Sequence, residues 1–85
     1  MMNFPQFRIL SGADVFYAIQ SPTRFTEWKR MGSYYTCYDI DAKQYPEMLR
    51  IQDMLECRDG FLYMDENDFT NRCRQWESEL KRAEF

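Results

Sequence analysis

Two periods of apolar residues run along this chain, and they predict different elements. Near the C-terminus Phe69, Cys73, Trp76, Leu80 and Ala83 recur at steps of four and three. That spacing draws one apolar stripe along a helix. Asp65 stands at the N-cap position, and Glu66 and Asp68 fall in the first turn, where carboxylates complement the helix dipole. Lys81 and Arg82 sit at the favoured far end, and Glu77 and Lys81 form an i,i+4 pair. The pattern predicts a helix over 66–83. Met48, Ile51 and Leu55, with Met54 beside them, make a second stripe. It predicts a helix over 46–58, opened by Pro46, whose missing N–H costs nothing in the first turn, and stopped by Gly60.

A period of two appears elsewhere. Tyr34 to Ile40 is rich in aromatic and β-branched residues and reads as a strand over 34–40 after the Gly32-Ser33 turn. Alternation puts Tyr34, Thr36, Tyr38 and Ile40 on one face and Tyr35, Cys37 and Asp39 on the other. Phe61 to Met64 reads as a short buried strand over 61–64.

Residues 5–20 admit two readings. As strands, Phe7 and Ile9 alternate with Gln6 and Arg8, Ser11-Gly12-Ala13 turns the chain, and Val15, Tyr17 and Ile19 alternate on the return. As a helix, Ser11 and Asp14 resemble a capping box and Val15, Phe16 and Ile19 form a stripe. The hairpin is preferred, because Val, Phe, Tyr and Ile crowd 15–19 and a helix there would be short. In both readings Ser21-Pro22 opens a helix over 22–31, with Phe25, Trp28 and Met31 spaced along it up to Gly32. The expected fold is a single α+β domain over 1–85. It has a small antiparallel or mixed sheet of about four short strands (5–10, 14–19, 34–40 and 61–64). About three helices, near 22–31, 46–58 and 66–83, cover one of its faces. The uncovered face or an edge strand leaves room for a homodimer.

Length agrees with one domain, at 85 residues. The net charge of −3 belongs to the second half: residues 1–42 carry equal numbers of acidic and basic side chains. No apolar run approaches the roughly 20 residues of a membrane-spanning helix. Met1 to Pro5 does not read as a secretory signal, and the Arg82 to Phe85 end carries no prenylation cysteine. Cys37, Cys57 and Cys73 are odd in number and lack a Cys-x-x-Cys spacing, so reduced, buried thiols in the cytoplasm are expected.

The chain has no histidine, which excludes a histidine triad, a His–metal site and a His acid/base. Asp65-Glu66-Asn67-Asp68 resembles the start of a calcium loop, but Thr70 stands where the loop needs glycine and Trp76 where it needs glutamate. Asp39 and Asp41 share a strand face without a third ligand converging on them. Gly12, Gly32 and Gly60 are isolated, so no phosphate cradle is spelled out. No cofactor is expected. An enzyme reading requires the carboxylates at 39, 41 and 65–68 to converge in a pocket.

Ser21 to Gly32 resembles the recognition half of a helix-turn-helix, with Arg24, Lys29 and Arg30 free to reach phosphate. The acidic balance of the chain opposes phosphate binding, so nucleic acid is the second choice of partner. The leading clue is the aromatic share of 18%. A domain of this size buries only about 60% of its unfolded surface, so some rings stay outside. Tyrosine offers a large contact area at low entropic cost. The expectation is therefore a small acidic, non-enzymatic protein-binding module. It would act as an inhibitor or adaptor on a host protein, as short phage and mobile-element products do. Tyr34, Tyr35 and Tyr38 are its candidate contact residues.

Overall fold

The computed structural model describes residues 3–83. The readings of the two chain ends rest partly on Met1, Met2, Glu84 and Phe85, which lie outside the described residues. Six strands and two helices follow one another: β1 (Gln6–Leu10), β2 (Val15–Ser21), β3 (Arg24–Met31), β4 (Tyr34–Asp41), α1 (Tyr45–Leu55), β5 (Phe61–Met64), α2 (Glu66–Glu79) and β6 (Lys81–Arg82). The strands form one sheet in the order β5-β1-β2-β3-β4-β6. β6 runs parallel to β4, and every other pair is antiparallel.

The sheet is covered on both faces, by one helix each. Along β2, Val15, Tyr17 and Ile19 point into a core with Phe25, Ile51, Met54 and Phe61. Phe16 points the other way, into a core with Tyr35, Met64 and Trp76. Strand alternation separates the two sets. The first face therefore lies under α1 and the second under α2. The five residues of the 15–19 run are all buried because β2 is central and covered on both sides.

This architecture corrects the expected four-stranded sheet with three helices on one face. Strands are present at all four predicted places, and the hairpin reading of 5–20 is the one that forms. The helix expected over 22–31 is instead β3, paired with β2 on one side and β4 on the other. The reason lies in the spacing of Phe25 and Trp28. Three residues apart on a helix they share a face, whereas on a strand they point to opposite faces. Here both faces are covered, so Phe25 enters the first core and Trp28 packs on the second. A strand buried on both sides loses its period of two. With 15–21 and 24–31 both extended, the two helices of a helix-turn-helix do not exist.

The predicted C-terminal helix ends early for a related reason. Leu80 still packs on the second core with Phe69 and Cys73, as the stripe requires. Its N–H closes the helix on the Trp76 carbonyl at 2.9 Å. The next donors leave the helix: Lys81 N–H reaches the Ser33 carbonyl at 3.1 Å, and Ala83 N–H reaches that of Tyr35 at 2.8 Å. Backbone groups on the β4 edge would otherwise be unpaired, and β6 takes up the first of them. Asp65 caps α2 as its sequence position suggests, accepting from the Asp68 N–H at 2.8 Å. On α1, Ile51 and Met54 carry the burial, while Met48 is exposed. No helix among the described residues is long and apolar enough to cross a membrane.

Candidate interaction face

Gly32 and Ser33 join β3 to β4 as a two-residue loop, since Met31 pairs with Tyr34. Gly32 has φ +64°, a conformation that glycine takes at little cost and that suits the tight turn of a hairpin. This register sets which side of the sheet each tyrosine occupies. Tyr34 and Tyr38 point to the first face and are 47% and 44% exposed. Met31, directly across from Tyr34, is 42% exposed. Tyr34 and Tyr38 stand about 13 Å apart along the strand. α1 packs over the β1 and β5 side of the first face, and on the β3–β4 side Tyr34, Tyr38 and Met31 stay exposed, although Thr36 between the two tyrosines is buried.

A single cross-strand row shows how the boundary is built. Tyr63, Arg8, Tyr17, Glu27 and Tyr38 lie opposite one another across five strands. Arg50 of α1 reaches down onto this row, donating to the Tyr17 phenol oxygen at 2.8 Å and to a Glu27 carboxylate oxygen at 3.0 Å. Its guanidinium carbon sits 5.4 Å from the Tyr17 ring centroid and 5.7 Å from that of Phe25. Burial pushes the Tyr17 phenol up from its ordinary value, with Arg50 pulling against it. Glu27 and Arg50 thus form the polar rim between the helix and the exposed tyrosines. Tyr63, at the far end of the row, is exposed beside the Arg8 guanidinium.

Tyr35 does not join this face. It is 5% exposed on the second face, stacked on Trp28 at 5.6 Å between ring centroids and tilted against Trp76 at 6.0 Å. Burial pushes its phenol up as well, with Glu77 adding to the shift. Of the three candidate tyrosines, the structure brings two together and places the third in the core.

The three basic side chains of the DNA reading are divided between faces. Lys29 is on the first, while Arg24 and Arg30 are on the second. Arg24 approaches Asp41 at 3.7 Å, and Arg30 donates to the Gly32 carbonyl at 2.9 Å. They do not make one basic surface.

The carboxylates are also dispersed. Asp39 accepts from the Thr26 hydroxyl at 2.5 Å, Asp41 faces Arg24, and Asp65 caps α2. Met64, Phe7, Ala18, Thr26 and Asp39 form one cross-strand row. Asp65 follows Met64, so it lies four strand spacings from Asp39, about 19 Å. Among the described residues, no group of three or more His, Cys, Asp or Glu side chains could hold a metal ion. A recess of about 480 Å³ beside the β1–β2 loop has Asp14 and Arg72 as its charged lining. A second, of about 340 Å³, lies between the Pro22-Thr23 turn and Met48, Ile51 and Leu55 of α1.

The cysteines are free, with Cys37 and Cys73 half-buried and Cys57 exposed. Exposure of Cys57 corrects the expectation of three buried thiols: α1 ends before it, and its φ of 54° carries the chain away from the helix. Burial raises the Cys37 thiol and pushes Cys73 up to about 12, with Glu77 adding to both. Such thiols stay protonated and are poor nucleophiles.

Met31, Glu27 and Arg50 escaped the sequence reading. Met31 could have been found from the two-residue turn, which forces it opposite Tyr34. The Glu27–Arg50 contact spans 23 positions and has no local signal. Comparison with protein-family models, with curated proteins and with solved structures finds no match to this chain.

Proposed function

We propose that this chain is a non-enzymatic protein-binding module, an inhibitor or adaptor, whose contact face is the open β3–β4 portion of the first sheet face. The observation that carries this reading is the grouping of Tyr34, Tyr38 and Met31 on one rigid surface, all more than 40% exposed. Tyrosine and methionine are enriched at protein interfaces. Two tyrosines held by a paired strand contribute contact area without the cost of ordering a loop. Glu27 and Arg50 border the patch as polar groups of both signs, the usual character of an interface rim, and Lys29 lies within it, between Met31 and Glu27 along β3. We place the module in the cytoplasm, where three unpaired thiols remain reduced.

The reading is tested by affinity capture from lysate of the native host, with the wild-type chain, a Tyr34→Ala/Tyr38→Ala variant and a Tyr63→Ala control. Tyr63 is exposed on β5, four strand spacings from Tyr38 along the same cross-strand row. A partner retained by wild type and control but lost by the double variant supports the reading. A partner retained equally by all three, or none at all, overturns it.

A further inference from the structure

We propose that the outer edge of β4 takes up an extended, basic segment of the partner protein as an added strand. This rests on the protein-binding reading and specifies its mode. Among the described residues, β6 pairs only with Tyr34 and Tyr35, although β4 continues to Asp41. The carbonyls of Ser33 and Tyr35 point outward to β6, while Ala42 sends its N–H to Thr23 on the β3 side. Backbone groups alternate in direction along an antiparallel strand. The N–H and C=O of Cys37, Asp39 and Asp41 therefore point away from β3, in line with the groups that β6 uses. An added strand would continue the seat that β6 begins.

Side chains on the two faces define what fits. On the second face Asp39 and Asp41 are exposed at the rim. Arg24 meets Asp41 only at 3.7 Å, and each carboxylate keeps free acceptor positions. On the first face the neighbours are Tyr38 and Ile40. A matching segment alternates Lys or Arg, opposite the carboxylates, with apolar residues beside Tyr38 and Ile40. Main-chain hydrogen bonds supply affinity in such additions, and alternate side chains supply specificity. A second copy of this chain fits badly. Antiparallel self-pairing centred on this stretch sets the two Asp39 carboxylates on one face within about 10 Å, and like charges across a ladder are destabilising. The opposite edge, β5, offers four residues with no charge to select a partner.

The experiment uses the full chain, labelled for backbone amide exchange by NMR, and two synthetic probes. One is a capped heptapeptide alternating lysine and isoleucine, and the other replaces each lysine with glutamate. The lysine peptide should slow exchange at the Asp39 and Asp41 amides by about tenfold or more at saturation, leaving the β5 amides unchanged. The glutamate peptide should not. Asp39→Pro removes an outward donor and should abolish the effect. Asp39→Asn/Asp41→Asn, which keeps the backbone and the oxygen that accepts from Thr26, should weaken it about tenfold or more by loss of charge. No protection with either peptide, equal protection with both, or protection on β5 instead overturns the proposal. Protection that persists in Tyr34→Ala/Tyr38→Ala sustains the edge proposal and counts against the tyrosine face alone. Partner capture that depends on those tyrosines without edge protection does the reverse.

Discussion

Arg8 of β1 donates from Nε to the carbonyl of Met54, the penultimate residue of α1, at 2.9 Å. A second donor of the same guanidinium reaches the Leu55 carbonyl at 3.3 Å, and a third the Phe7 carbonyl at 2.7 Å. The last carbonyls of a helix lack intrahelical partners and carry partial negative charge. One buried cation therefore closes the C-terminus of α1 and ties it to the sheet. Arg8 is only 4% exposed, with its guanidinium 5.4 Å from the Tyr63 ring centroid. Arg8→Met keeps much of the stem's packing but leaves these acceptors without their charged donor. We expect a loss of about 2–4 kcal/mol, read as a lower urea midpoint with unchanged slope. A change below 1 kcal/mol would show that water satisfies the helix end equally well.

Phe16 should be the most costly aromatic to remove. It is fully buried on the second face, with Trp76 at 4.8 Å, Phe69 at 5.5 Å and Trp28 at 5.6 Å between ring centroids. It joins the centre of the sheet to α2. Phe16→Ala should cost about 3–5 kcal/mol. Because both tryptophans of the chain line this core, their fluorescence should shift to the red before global unfolding. An unchanged emission maximum would mean that α2 docks without Phe16.

Thiol reactivity should divide one against two. Cys57 is exposed, whereas Cys37 and Cys73 are half-buried with raised pKa values. A disulfide reagent at pH 8 should consume one equivalent rapidly and the remainder slowly, and Cys57→Ser should remove the fast phase. A fast phase that survives this substitution would place a reactive thiol in the second core.

Alkaline stability follows from the same core. Folding raises Cys73 from 9.0 to about 12, so between these values the unfolded chain has lost a proton that the folded chain keeps. The contribution of this thiol is constant below pH 9 and is lost as pH rises toward 12. Cys37, Tyr17 and Tyr35 are raised too and act with the same sign. The urea midpoint should decline above pH 9, and Cys73→Ala should make that decline shallower, whatever its effect at pH 7. An equal slope in both proteins would count against Cys73 as a source.

Local pattern alone determined the elements whose signal is contained in a few neighbouring residues. The stripe from Phe69 to Leu80, the Asp65 cap and the alternation of 34–40 were all legible, because each depends on period and capping chemistry, while over 5–20 the same signals admitted both a hairpin and a helix, with the hairpin preferred. Alternation also placed Tyr34 and Tyr38 together and Tyr35 opposite them. Which of those faces would be covered was not legible. Tertiary structure decided it by docking α2 over Trp28 and Tyr35 and by drawing α1, through Arg8 and Arg50, over only part of the other face. The same docking turned 24–31 into a strand, since an i,i+3 aromatic pair serves one helix face or two sheet cores equally well. It also ended α2 at Glu79, where unpaired groups on β4 compete with the helix for the donors of Lys81 and Ala83. Period is a local property, whereas coverage of a face and satisfaction of an edge depend on chain segments far apart in sequence.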